Sequence, residues 1–225
     1  MPRAARHIGT RAAPAGAEAH VATLAAVWGE LLQEVASLAA HEIKGALNGV
    51  SINLEVVRAK AAQPGAPAAG VAQFADAAAG QLDLTVKLIE GLLALARAPR
   101  ESADLVGMLE RLAVLLDPVA RVDGGGITIM SDADGLPAAT VADSGMSRAV
   151  LAGVLLDVVR EGRLATCRVA GGLETTVRIR CADGRGTHLP ARVAPISQLA
   201  GIRVAPDPQE LILVFPRSAG TREEA

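Results

Sequence analysis

His41 and Glu42 stand side by side in the octapeptide His41-Glu42-Ile43-Lys44-Gly45-Ala46-Leu47-Asn48, with Lys44 and Asn48 about one and two helical turns further on. Residue types in this order suit the acceptance of a phosphoryl group. An accepting imidazole must be exposed, oriented and largely neutral, so that one ring nitrogen presents its lone pair. A neighbouring carboxylate can take the proton from the other nitrogen, which raises nucleophilicity and holds the tautomer. On a helical wheel His41, Lys44, Asn48 and Glu55 share one polar strip, where Lys44 and Asn48 can meet phosphoryl oxygens or a partner protein. A lone histidine of this kind is usually an ordinary surface residue. The octapeptide and its helical setting favour the chemical reading.

No second constellation competes with it. His7, His20 and His188 are scattered, without zinc-ligand spacing, and no Ser-His-Asp set stands out. Gly124-Gly125-Gly126 lacks the Lys and Ser of a phosphate-binding loop and reads as a turn. Cys181-Ala182-Asp183-Gly184-Arg185-Gly186 reads as a hairpin turn, since Asp-Gly favours one.

The elements that must carry His41 are legible. From about Ala17 to Lys60 only Gly29, Gly45 and Gly49 weaken a helical pattern. Apolar residues recur at Leu24, Trp28, Leu31, Val35 and Leu38, then at Ile43, Leu47, Val50, Leu54 and Val57, in steps of three and four. The five-residue step from Leu38 to Ile43 rotates the stripe, and His41 and Glu42 sit in that change of phase. Residues 61–70 carry two prolines and two glycines and read as a turn. A second amphipathic helix follows from Val71 to about Arg97, with its stripe at Val71, Phe74, Ala78, Leu82, Thr85, Ile89, Leu92 and Ala96, stopped by Pro99. Such a hairpin exposes an apolar face that two copies can cover as a four-helix bundle, so a homodimer is expected.

Beyond residue 100 the pattern becomes mixed. Helices are expected at 104–115 (before Pro118) and 147–160, and strands at 127–130, 166–169, 175–181 and 211–215. The fold class predicted is α+β, a helical hairpin followed by a small α/β sandwich. The expected boundaries are a disordered tail at 1–16, the hairpin at 17–100, the α/β domain at 101–217 and a second tail at 218–225.

The octapeptide resembles the phosphoacceptor box of bacterial sensor histidine kinases. The region after it resembles, more weakly, the ATPase module of those enzymes. The resemblance implies that His41 is the phosphoacceptor and Glu42 its proton acceptor. Two departures are informative. The family commonly has Asn or Thr and then Pro where this chain has Gly45 and Ala46. Aligning Met146–Asp157 on the family's magnesium-holding helix puts Ala152 and Leu156 where asparagines would stand, and a leucine offers no oxygen to a hard cation. Asp157 is displaced by one position, either a remnant or an unrelated carboxylate. The glycine-rich lid is missing, because only Gly201 lies between Gly186 and Phe215. Phosphoryl transfer from ATP depends on magnesium and donors around the phosphates. The resemblance therefore narrows to histidine phosphotransferases of two-component phosphorelays, degenerate kinases that shuttle phosphoryl between His and the Asp of receiver domains. It implies response-regulator partners that dock around His41, Lys44, Leu47, Asn48 and Ser51. It implies no cofactor of the chain's own, since the receiver brings magnesium. A non-catalytic pseudokinase that modulates a regulator or kinase is the alternative, and a divergent active kinase a third.

Composition sets outer limits. The 225 residues carry a net charge of -2, which gives no global footprint for nucleic acid or an anionic membrane. Two Phe, one Trp and no Tyr leave the core to Leu, Val, Ile and Ala. No apolar run reaches the roughly 20 residues of a membrane span. Cys167 and Cys181 lack metal-ligand spacing and are expected reduced and half-buried on strands. A cytoplasmic, soluble protein is the expectation.

Overall fold

The computed structural model describes residues 15–64, 67–97, 103–122, 124–131, 140–141, 144–171 and 174–216. Of the two expected tails, 218–225 lies outside the described residues, and so does 1–16 except for its last two positions. Helix α1 runs over Ala15–Ala61 and α2 over Ala69–Ala96, packed against one another as a hairpin. At 1.5 Å per residue α1 is roughly 70 Å long. An Asn53–Gln81 hydrogen bond of 3.3 Å crosses this largely apolar seam and helps fix its register.

The face that each helix buries matches the expected stripes only in part: Leu31 and Val35 on α1 and Ala78 and Thr85 on α2 are buried as expected. On α1 the buried positions are Leu31, Val35, Ala39 and Ala46, whereas Leu47 and Leu54 are exposed. On α2 Ala78, Thr85, Leu88, Gly91 and Leu95 are buried, whereas Leu82 and Ile89 are exposed. Leu82, Val86, Ile89 and Leu93 form a second apolar stripe that the single chain leaves open. The α2 periodicity therefore mixes two faces, because small residues (Ala78, Gly91) mark the inner one and large residues the outer one.

After the hairpin come β1 (Ala103–Asp104), α3 (Leu105–Val122), β2 (Gly126–Ser131), β3 (Thr140–Val141) and α4 (Ser144–Arg160). Then follow β4 (Leu164–Ala170), β5 (Thr175–Cys181), α5 (Ala194–Leu199), β6 (Arg203–Ala205) and β7 (Glu210–Phe215). The five-stranded sheet has the order β2-β4-β5-β7-β6; β2 is parallel to β4 and the other neighbours are antiparallel. This is the expected α+β class. Alternate strand residues Ala165, Cys167, Val169, Val177, Ile179, Leu211, Leu213 and Phe215 face α3 and α4 in one continuous core. Helices α3 and α4 in turn pack on the hairpin. Three layers result, hairpin, helices and sheet, and among the described residues no helix covers the far face of the sheet.

Three local expectations are corrected. First, α3 continues through Pro118 to Val122 instead of ending near Leu115. A proline removes one N–H and frees the carbonyl four residues back. Val114 lies at an exposed position, where water can satisfy that carbonyl, and Ala120 is fully buried, so packing carries the helix onward. Second, the Asp183–Gly186 segment is a turn but not a hairpin: β5 pairs with β4 and β7, and the turn leads into a loop and α5. Gly184 has φ +70°, the left-handed region that glycine tolerates, and its N–H donates to the Cys181 carbonyl at 3.2 Å. Third, Cys167 and Cys181 are fully buried free thiols, not half-buried, and burial pushes Cys167 up to about 12.

The Gly124–Gly126 turn stands as read. Gly124 takes φ +77°, and a Cβ at Gly125 would lie 2.8 Å from the Arg163 carbonyl oxygen. Among the described residues no helix is long and apolar enough to cross a membrane.

Candidate functional site

His41 lies near the middle of α1, exposed, with Lys44, Leu47, Asn48 and Ser51 exposed beside it and Glu42 half-buried. One unbroken helix positions all six, so their relative placement is set by the helical repeat and not by loop conformation. His41, Lys44, Asn48 and Ser51 form one ridge in steps of three and four. Leu47 is 45% exposed and adds an apolar element to that ridge. The Ser51 hydroxyl donates to the Leu47 carbonyl at 3.1 Å, which occupies its proton and leaves its oxygen lone pairs outward. Among the described residues the side chains of His41 and Glu42 take part in no hydrogen bond or ion pair. Adjacent on the helix, their side chains leave the axis about 100° apart. The strip can therefore offer an imidazole, an ammonium, an amide and a hydroxyl to an incoming group.

The second region places its candidate residues differently. Ala152 and Leu156 are fully buried in the core of α4. Asp157 accepts from Arg192 at 2.8 Å, and Arg192 also donates to both carboxylate oxygens of Glu34, at 2.9 and 3.1 Å. Arg160 adds a contact to Glu34 at 3.2 Å. Asp157 is thus a tie between α4, the loop before α5 and α1. Glu34 precedes His41 by seven residues, two turns along nearly the same face of α1.

Asp183 is engaged as well. Its carboxylate oxygens accept from Arg163 Nε at 3.0 Å and from another Arg163 nitrogen at 2.9 Å. Arg163 also donates to the Arg185 carbonyl and to Glu161. The Arg163 hydrogen bond holds the Asp183 carboxyl below the usual carboxylate range. A depressed carboxyl contributes stability above its unfolded pKa, and that contribution is lost as pH falls through the folded value. Asp183→Asn is therefore expected to melt earlier than the parent at neutral pH. The gap should begin to narrow below about pH 3.9 and close as pH falls through the lower, folded value, where the parent carboxyl is protonated too. Thermal melts of both proteins across that range check it, and a gap that widens in acid would refute the pairing.

No family model matches this sequence, and no curated protein matches it. Solved structures similar to the chain include that of a bacterial phosphotransferase, at 14% identity and a TM-score of 0.44, over 84% of this chain and 95% of the other. Full-length ShkA in complex with AMPPNP is similar at 19% identity and a TM-score of 0.43, over 83% of this chain. The chain spans 46% of that protein, under half its length. The histidine kinase ThkA in complex with the response regulator protein TrrA is similar at 12% identity and a TM-score of 0.38, over 91% of this chain and 68% of the other. These are likenesses of fold alone.

Sequence reading missed the residues that join the layers. Arg148 is one of them, 9% exposed, with its guanidinium 4.2 Å from the Trp28 ring and hydrogen bonds to the carbonyls of Leu95 and Arg97 at 2.9 and 3.0 Å. Burial, and then the nearby Arg111, hold its pKa below the ordinary value. The available signal was a single charge at the head of the apolar run Ala149–Leu156. Among the described residues no three His, Cys, Asp or Glu side chains gather as a metal site.

Proposed function

We propose that this chain is a histidine phosphotransferase of a two-component phosphorelay, taking phosphoryl from the aspartate of one receiver domain and passing it to another. The observation that carries the reading is His41 exposed on a continuous helix, flanked by exposed Lys44, Asn48 and Ser51. In the forward step a ring nitrogen of His41 attacks the phosphorus of an aspartyl phosphate. The P–N bond forms as the P–O bond to the carboxylate breaks, and the receiver's aspartate departs as carboxylate. Glu42 accepts the proton of the other ring nitrogen as positive charge grows on the imidazole. Lys44 and Asn48 offer donors to the phosphoryl oxygens. The acidic pocket and magnesium for this chemistry belong to the receiver. Transfer to a second receiver runs the same steps in reverse.

ATP is not the donor in this reading. Where a kinase would need oxygen ligands for a nucleotide-bound metal, Ala152 and Leu156 are apolar and fully buried, and Asp157 is tied to Arg192. The decisive assay incubates the chain with a radiolabelled, phosphorylated receiver domain, beside a control with labelled ATP and magnesium. Label is expected to leave the receiver for the chain in the first and to stay off the chain in the second. Receiver binding without transfer would leave a regulatory pseudokinase as the better reading. Labelling from ATP would indicate a kinase.

The reading includes a homodimer, whose four-helix bundle buries the outward stripe of Leu82, Val86, Ile89 and Leu93. These side chains are 43–57% exposed in the single chain, an unusual concentration of large apolar residues on one face. The double variant Ile89→Glu/Leu93→Glu is expected to sediment as a monomer where the parent sediments as a dimer. An unchanged sedimentation coefficient would place the interface elsewhere.

A further inference from the structure

Each hairpin helix carries a polar row beside its open apolar stripe. On α1 the row is Lys44, Ser51 and Arg58, in steps of seven, next to exposed Leu47 and Leu54. On α2 it is Asp76, Asp83 and Glu90, again in steps of seven, next to exposed Leu82, Val86, Ile89 and Leu93. A seven-residue repeat keeps to one face of bundled helices, and both rows lie on the side of the stripe away from the hairpin's own seam. All six residues are exposed. Among the described residues the side chains of Lys44, Arg58, Asp76, Asp83 and Glu90 take part in no hydrogen bond or ion pair within the chain. The rows also match in height. Two contacts across the seam fix the level of one helix against the other: Asn53 with Gln81, and Lys60, whose ammonium lies 5.1 Å from the centre of the Phe74 ring. One step along α1 therefore answers one step back along α2. Counting on from these contacts sets Lys44 level with Glu90, Ser51 with Asp83 and Arg58 with Asp76.

We infer that a second copy of this chain docks with its α2 alongside α1, so that Lys44 faces Glu90 of the partner subunit and Arg58 faces Asp76 of the partner subunit. The inference rests on the homodimer reading and adds its pairing, register and polarity. A two-fold axis running along the bundle places each α1 between its own α2 and the α2 of the other copy, at unchanged heights. The two rows then border this new contact on the same side, as flanking charges border the seam of a coiled coil. Basic meets acidic at the two outer levels. At the middle level the Ser51 hydroxyl meets Asp83, which has Lys87 one turn away on its own helix. An axis across the bundle would instead set α1 beside α1, with basic row against basic row. Charges at the rim of an interface select partner and register more than they add affinity. Lys44 also belongs to the ridge around His41, so each site takes a carboxylate at its edge from the other copy.

Charge exchange on the full chain, read by sedimentation equilibrium at low ionic strength, tests the inference. Lys44→Glu/Arg58→Glu turns the α1 row acidic, and Asp76→Lys/Glu90→Lys turns the α2 row largely basic. Each variant alone is expected to self-associate about tenfold or more weakly than the parent, with the deficit shrinking at high salt. An equal mixture of the two should recover the parent's association as a heterodimer, because opposite rows then meet between copies and never within one. Circular dichroism accompanies each variant; if a double variant loses helix, Arg58→Glu and Asp76→Lys serve in place of the doubles. A dimeric parent whose variants associate as tightly as it does, or whose mixture gains nothing over the separate variants, would overturn the inference and leave the dimer standing. A parent that stays monomeric would remove both. Association is the only readout, so the outcome is independent of phosphoryl transfer.

Discussion

His41→Gln will leave the fold, the melting temperature and self-association unchanged and will abolish phosphoryl uptake from a receiver. The stability half follows from exposure: substitutions on an open helix face away from special features stay within about 0.5 kcal/mol of the parent. The activity half follows from chemistry. Gln presents a carbonyl and an amide, and neither has a ring nitrogen able to form the P–N bond. Glu42→Gln should keep some activity but slow transfer by about a hundredfold or more, the usual contribution of a positioned proton acceptor. Stopped transfer reactions, quantified against the receiver's own loss of label, separate the two variants. Uptake by His41→Gln at the parent's rate would remove the histidine from the mechanism.

Arg148→Met is the change with the largest expected effect on stability, a loss of about 2–4 kcal/mol. Methionine keeps much of the volume, so the cost is not a cavity. It comes from the two hydrogen bonds to the Leu95 and Arg97 carbonyls and from the contact with the Trp28 ring. Those carbonyls end α2, where the final turn has no partners of its own and the helix dipole favours a cation. One side chain thereby ties α1, α2 and α4 together. Two terms offset part of the loss. The guanidinium is desolvated, and its Nε is buried with no acceptor. At this chain length the expected fall in Tm is roughly 10 °C. A melt indistinguishable from the parent's would mean that the layers are held by the apolar contacts alone.

Much of the architecture was legible because it rests on period and punctuation. The uninterrupted run to Lys60, the proline- and glycine-rich break and the stop before Pro99 together gave both hairpin helices within a few residues. Strand alternation in Thr175–Cys181 was equally plain. Which side of each helix turns inward was not. Periodicity reports that apolar residues share a face, and α2 has two such faces, one lined by small residues and one by large. Pro118 misled because a local rule lost to packing around Ala120. Helix α5 and strand β6 went unseen because six and three residues are too short to show a period. At the site, the exposed strip through His41, Lys44 and Asn48 followed from the 100° step alone. The ties among Glu34, Arg192 and Asp157 did not, because they join residues 35 and 158 positions apart, and spacing along a chain carries no trace of such contacts.

Mapping the transferred group tests the central claim most directly. After incubation with a phosphorylated receiver, the chain would be digested under alkaline conditions, where a phosphoramidate survives and an acyl phosphate does not, and its peptides sequenced by tandem mass spectrometry. The expected result is phosphohistidine at His41 and no other modified residue. A phosphoryl group on His188 or on any other side chain, or none anywhere despite loss from the receiver, would contradict the account.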